Sequence, residues 1–220
     1  MNSSSIQYVV DIGACVGLFI DECLSKYPIE NMYAFEPLSA NYEHLVNKYA
    51  QDARVEIFHR AVSNFNGQAP LHKKRYRKQW HNFLPYFRYS FAGNAGSSLN
   101  PNKSNVSRFH KEQVEVVRIT DMLRQLHLPR IDILKIDAEG SEYDILLDLI
   151  DDDLLSTVTN IYYEDHTRKI PSLAPARNTF IKTVKNRAIQ DKFYVQGEHL
   201  AYTPLSEHQD YSQRRRATNP

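Results

Sequence analysis

Between Ile6 and Ser63 the chain alternates short apolar runs with amphipathic stretches, and this rhythm constrains its fold more than any other feature. Ile6–Ile12 is a β-branched run carrying Asp11 near its end, and Gly13 and Gly17 then punctuate the chain. Leu18–Tyr27 places Phe19, Cys23 and Leu24 at helical spacing. Asn31–Glu36 predicts a second strand, closed by Pro37. Ser39 predicts the cap of a helix through Ala50, with Tyr42, Leu45, Val46 and Tyr49 on one face. Arg54–Ser63 predicts a third strand. Strands alternating with helices in this way pack as a parallel sheet with helices on both faces, because the crossover between parallel strands must bury its apolar stripe against the sheet. The expected fold is therefore α/β and Rossmann-like, with a mostly parallel central sheet.

The rhythm breaks at Asn64–Gln113 and resumes afterwards. Val114–Ile119 predicts a strand, Met122–Leu126 a short helix capped by Thr120 or Asp121, and Ile131–Ile136 a buried strand leading into Asp137. Tyr143–Ile150 reads as helix, Thr157–Glu164 as strand, Thr179–Asp191 as helix and Phe193–Gln196 as a late strand. Fifty structureless residues inside a compact domain are uncommon. Short strands or a hairpin near Gln68–His72, with a mobile loop or lid beyond, are expected within this insertion. With 220 residues, the reading is one domain over 1–205, with the insertion at about 64–113 and a disordered polar tail over 206–220.

Composition narrows the class. Hydrophobic residues at 42% and charged residues at 24% exclude wholesale disorder. No run approaches the roughly 20 apolar residues of a membrane helix. Met1–Ile6 does not read as a signal peptide, and Cys15 and Cys23 are too few for a disulfide scaffold, so a cytoplasmic location is expected. The net charge of +1 hides an asymmetry: Ile57–Lys111 holds ten basic residues and no acid. Within it, His72–His81 and Tyr86–Tyr89 interleave bases with aromatics. That pattern suits phosphate contact with ring stacking, a sugar platform with a cationic rim, or a plain solvated loop.

The turn after the first strand points to a ligand. Asp11-Ile12-Gly13-Ala14-Cys15-Val16-Gly17 is a glycine turn entering a helix, but Cys15 stands where a dinucleotide fingerprint needs its second glycine. A pyrophosphate is poorly served there. A cofactor without one fits better, with Asp11 to attract an ammonium group and Gly13 to let the ligand lie against the backbone. Glu36, at the end of the second strand, is placed to accept hydrogen bonds from both hydroxyls of a ribose. Together these features suggest S-adenosylmethionine.

Six segments occur in an order that resembles FkbM-type methyltransferases: Val10-Asp11-Ile12-Gly13-Ala14, Phe35-Glu36-Pro37, Ala61-Val62-Ser63, Ser98-Leu99, Ile119–Leu123 and Leu134–Glu142. The last, L-K-I-D-A-E-G-S-E, is the most specific, and the likeness runs from about Tyr8 to Val195. The resemblance implies a Rossmann-like fold, S-adenosylmethionine as donor and O-methylation, often of a sugar or natural product. It implies that Asp11, Gly13, Ala14 and Gly17 hold the methionine and ribose portion, that Glu36 binds the ribose, and that Pro37, Leu38, Ala61 and Val62 pack beside the adenine. Cys15 stands where the family often carries Asn.

For chemistry, the residues at the carboxyl ends of the later strands matter, because open α/β sheets bind ligands there. Asp137, Glu139 and His166 are the expected catalytic residues, His166 as proton acceptor near neutral pH. Glu142 is read as stabilising a helix's first turn. Asp137, Asp165 and His166 also form an oxygen–nitrogen set suited to Mg²⁺ or another divalent metal, although no spacing forces one. The expected acceptor is a hydroxyl of a glycan or sugar-containing small molecule. An anionic acceptor such as RNA, or a silent binding module on the same scaffold, are the competing readings.

Overall fold

The computed structural model describes residues 6–75, 95–196 and 202–206. Its central sheet contains β1 (Tyr8–Ile12), β2 (Asn31–Phe35), β3 (Val55–Phe58), β7 (Ile131–Ile136), β8 (Val158–Glu164), β9 (Phe193–Gln196) and β10 (Tyr202–Pro204). The strand order is β10-β9-β8-β7-β1-β2-β3, seven strands among the described residues. All pairs are parallel except β10 with β9. Three more strands, β4 (Ala61–Ser63), β5 (Gly67–Lys74) and β6 (Val106–Arg118), form a separate sheet in the order β4-β6-β5.

Strand β7 explains why the sheet is built around it. All six of its residues are buried, as expected of a central parallel strand covered on both faces. Its two charged residues are each satisfied. Asp132 accepts from the backbone N–H groups of Gln7 and Tyr8 at 2.8 and 2.9 Å, anchoring the start of β1. Lys135 lies opposite Asp11 in the β1–β7 register and bonds to it.

Helices cover the two faces separately. Helices α1 (Leu18–Lys26) and α2 (Ser39–Lys48) supply Ile20, Cys23 and Leu45 to one cluster, with Val9, Met32 and Ala34 of the sheet. Helices α3 (Ile119–Leu126), α4 (Glu142–Ile150) and α5 (Ala174–Asn186) pack on the other face around Leu134, Ile136, Ile161 and Tyr163. Among the described residues no helix is long and apolar enough to cross a membrane.

The structure amends several expectations. The single strand expected over Arg54–Ser63 is two: β3 ends at Phe58, and β4 leaves the central sheet to pair with β6. The hairpin expected near Gln68–His72 is longer, because β5 pairs antiparallel with β6 from Gly67 to Lys74. Ser39 is the first residue of α2 and does not cap it. Its N–H and hydroxyl donate to Glu112 on β6 instead, fastening the second sheet to the helix. Helix α5 starts at Ala174, five residues before the expected Thr179. Pro175 is tolerated there because first-turn N–H groups have no helical partner. The helix stops at Asn186, and Ala188 follows in the left-handed region at φ 52°. The basic-aromatic lid falls mostly on 76–94, and the tail on 207–220. Both lie outside the described residues.

Phe180 shows what holds the α5 side together. It has no exposed surface, and its ring centroid lies 5.8, 5.6 and 5.2 Å from those of Tyr143, Tyr163 and Phe193. Phe180→Ala leaves a cavity among three aromatic rings. It should lower unfolding free energy by about 3–5 kcal/mol in urea denaturation. A loss below about 1 kcal/mol would mean that this cluster collapses to fill the gap.

Candidate active site

The carboxyl ends of β1, β2 and β7 meet at one cleft, enclosing about 690 Å³ of space open to solvent. The glycine turn forms its floor. Gly13 lies at φ +82°, and a Cβ there would sit 2.0 Å from the carbonyl oxygen of Asp137. Glycine is therefore required for close approach of the β7 backbone, a different reason from ligand access. The N–H groups of Gly13 and Ala14 donate to the carbonyl of Phe35, and that of Asp137 to Ile12, so three strand ends are tied through main chain. Gly17 packs on Tyr49, whose hydroxyl donates to the Gly17 carbonyl at 2.8 Å.

Glu36 dominates one wall. It is 5% exposed, and its carboxylate accepts from the N–H groups of Cys15 at 2.8 Å and Leu38 at 2.9 Å. Burial raises its pKa to about 7, against the hydrogen bonds from Leu38, Cys15 and Asn41 that favour the charged form. Cys15 itself is held at φ 53°, and burial raises its thiol to about 11. Ile12, Phe35, Pro37, Ala61, Val62, Leu71 and Leu99 add apolar surface around Glu36.

Asp11 is fully buried and does not line the cleft. Its Oδ1 accepts from Lys135 Nζ at 2.9 Å, and Lys135 also reaches the Gly13 carbonyl at 3.3 Å and Asp137 Oδ2 at 3.9 Å. Burial opposes the Lys135 charge, but Asp11 and Asp137 outweigh it and raise its pKa. The ammonium expected beside Asp11 is thus one of the chain's own. Ala14 and Leu38 are buried in the clusters beneath, and of the remaining cofactor residues expected from sequence, Gly13, Glu36, Pro37, Ala61 and Val62 face the cleft.

The opposite wall is acidic. Asp137 and Glu139 line it, with Glu139 at φ 52°. Behind them His166 is wholly buried, its Nδ1 2.9 Å from Glu142 Oε1 and its Nε2 2.8 Å from Glu139 Oε2. Burial disfavours the imidazolium, but Glu139 and Glu142 more than offset this and raise the pKa to about 10. Burial also works against the Glu139 charge, yet His166 and Lys103 lower its pKa to about 2. The proton acceptor expected at His166 lies buried behind the wall, with both ring nitrogens facing carboxylates. Asp165 turns away to Arg177 and Thr167, so it does not complete the expected metal set. Glu142 does more than stabilise its helix: its carboxylate accepts from the Gly140 N–H and orients His166.

The insertion closes this end. Ser98 exchanges backbone hydrogen bonds with His72 at 2.8 and 3.0 Å, and its hydroxyl donates to the Glu139 carbonyl at 2.6 Å. Lys103, its side chain fully buried, bonds to Glu139 and to the Gly96 carbonyl. Ala95, Gly96, Ser97 and Leu99 of this segment line the cleft.

The profile described as the methyltransferase FkbM domain matches residues 11–203. The chain belongs to this family. It is 29% identical to methyltransferase sdnD of Sordaria araneosa, over 74% of this chain and 68% of that protein. It is 25% identical to methyltransferase 1 of Beauveria bassiana, over 71% of this chain and 64% of that one. It is also 27% identical to the AMB antimetabolite synthetase AmbE of Pseudomonas aeruginosa, over 73% of this chain but 8% of the synthetase. The chain thus spans about two thirds of the first two relatives and under a tenth of the third. A crystal structure of methyltransferase FkbM from Methylobacillus flagellatus KT aligns with 67% of this chain and 30% of its own at 17% identity, with a TM-score of 0.39.

Sequence reasoning missed Asn41, which lines the cleft, and Lys135 and Lys103, which brace its walls from behind. Lys135 carried a usable signal, because a lysine inside an otherwise apolar buried run requires a partner. Lys103 carried none, since its contact spans 36 residues.

Glu36 yields a pH prediction. A carboxyl raised to about 7 in the folded protein contributes stability that is present below its unfolded value near 4.5 and lost as pH rises through 7. The stability difference between the ligand-free parent and Glu36→Gln should therefore shift against the parent by on the order of 3 kcal/mol from pH 4 to 8. Parallel stability–pH curves would show that Glu36 ionises normally.

Proposed function

We propose that this domain is an S-adenosylmethionine-dependent O-methyltransferase whose acceptor is a hydroxyl of a sugar or other small natural product. The observation that carries the cofactor reading is Glu36, a buried carboxylate on the wall of an otherwise apolar cleft beside the glycine turn. Its oxygens accept backbone N–H groups from Cys15 and Leu38 and a hydrogen bond from Asn41, and the carboxylate keeps acceptor capacity for a ribose hydroxyl. Ala61, Val62, Leu71 and Leu99 offer apolar surface for a purine.

S-adenosylmethionine, when bound, supplies a methyl group already activated by its sulfonium. The chain's own task is placement. Lys135 and the main-chain ties fix the turn at Gly13 against Asp137, so the floor of the cleft is rigid. Ser98 and Lys103 hold the 95–103 segment over Glu139, which narrows the cleft from the other side and limits water. Holding an acceptor oxygen in line with the donor removes much of the barrier, roughly 7–11 kcal/mol in favourable cases.

The small-molecule reading is favoured over RNA by three basic residues of the segment that already have acidic partners. Arg60, Lys73 and Lys103 are paired with Glu115, Glu112 and Glu139, so their charge is met within the protein. A relative named as an antimetabolite synthetase points the same way.

Calorimetry with S-adenosylmethionine tests this reading. The parent should bind one equivalent, and Glu36→Ala should weaken binding roughly 10- to 100-fold, the worth of hydrogen bonds to a charged group. Folded parent protein that binds no cofactor would favour a silent module instead. Equal affinity in the variant would move the ribose elsewhere.

A further inference from the structure

Behind the acidic wall, one buried arrangement has no role in the placement described so far. His166 Nδ1 lies 2.9 Å from Glu142 Oε1, and Glu142 is itself fixed by the Gly140 N–H at 3.0–3.1 Å. A carboxylate accepts only, so Nδ1 must carry the proton. Nε2 is buried and lies 2.8 Å from Glu139 Oε2, yet it makes no aligned hydrogen bond. Nitrogen and oxygen this close need a positive centre beside them. With no metal bound, a proton on the ring and Lys103 supply it. A cation that displaces the Nε2 proton would meet a nitrogen lone pair and a carboxylate oxygen together.

A carboxylate oxygen of Asp137 completes the set, for the donor atoms of Asp137, Glu139 and His166 all lie within 4.8 Å of one another. Asp137 Oδ1 is buried without a hydrogen-bond partner among the described residues. Neighbouring ligands of an octahedral ion with bonds of 2.0–2.1 Å stand roughly 2.8–3.0 Å apart. The Nε2–Oε2 distance is close to that edge, as it is to an ordinary hydrogen bond, so it admits an ion without selecting one. A buried carboxylate behind a histidine is also the usual support of a metal-ligating imidazole.

Charge points the same way. Five carboxylates (Asp11, Asp137, Glu139, Glu142 and Glu164) are linked through close contacts to three ammonium groups, Lys103, Lys135 and Lys169. Carboxylates thus outnumber ammonium groups around His166, a setting that favours a bound cation.

We propose that Asp137, Glu139 and His166 form a divalent metal site at the acceptor end of the cleft, oriented by Glu142. One imidazole nitrogen with two carboxylate oxygens suits Mn²⁺, which tolerates both donor types. Three protein ligands leave coordination positions open toward the cleft, where an acceptor oxygen is to be held. The role assigned to the ion rests on the methyltransferase reading, whereas its binding does not.

The test is loss of the free Mn²⁺ paramagnetic resonance signal on titration into chelator-treated, desalted protein at pH 8. The parent should bind one equivalent. Asp137→Asn and His166→Gln should each weaken binding at least about 10-fold, and Glu142→Gln roughly 10- to 100-fold. Asp165→Asn should leave it unchanged. Asp137 is partly exposed, so its variant carries the test if the buried His166 change impairs folding, with circular dichroism as the check. Folded parent that leaves the Mn²⁺ signal intact, or binding untouched by Asp137→Asn, overturns the proposal. S-adenosylmethionine titrated into the same sample separates the two claims. Cofactor binding without Mn²⁺ binding sinks only the metal site, and Mn²⁺ binding without cofactor sinks only the cofactor placement.

Discussion

A single buried ammonium holds together the point from which everything else at this cleft is built. Lys135, in the middle of the sheet, bonds to Asp11 on the neighbouring strand and reaches the Gly13 carbonyl beyond it. Breaking such a pair by removing one partner leaves an uncompensated buried charge, which typically costs about 3–5 kcal/mol. The pair also dictates shape. It fixes the register of β1 against β7, brings Gly13 under the Asp137 carbonyl, and thereby sets the distance between the turn and the acidic wall. A side chain at position 13 would force these two strand ends apart.

From that floor the cleft divides by chemistry. Toward β2 it is apolar with one carboxylate, Glu36, pushed up by burial and held by backbone donors. Toward β8 it is crowded with charge, and the 95–103 segment of the insertion is fastened there by Ser98 and Lys103. The proposed cofactor occupies the first half and the proposed acceptor the second. The insertion thus belongs to the site even though its two flanking strands form a sheet of their own.

Much of this was legible in the sequence where the signal is local. The alternation of strand and helix, the glycine turn and the position of Glu36 are all read within about 30 residues. The split between β3 and β4 was not, because only the polar pair His59-Arg60 marks it and a single strand tolerates such a pair. Only pairing with β6, more than 50 residues away, separates the two. The partners of Asp11 and His166 were not legible for a related reason. Both residues were identified, but their partners are set by register and by a helix start, Asp11 meeting Lys135 across 124 residues and His166 meeting Glu142 across 24. A titratable side chain announces chemistry, while its burial and partners decide which chemistry remains open to it.

The central claim is that the donor lies between the glycine turn and Glu36, with its reactive end toward Asp137 and Glu139. A crystal structure of the protein with S-adenosylhomocysteine tests it most directly. The account predicts both ribose hydroxyls within hydrogen-bonding distance of Glu36, the purine against Ala61 and Val62, and the sulfur facing the acidic wall. A ligand bound elsewhere, or bound here with its ribose turned away from Glu36, would contradict it.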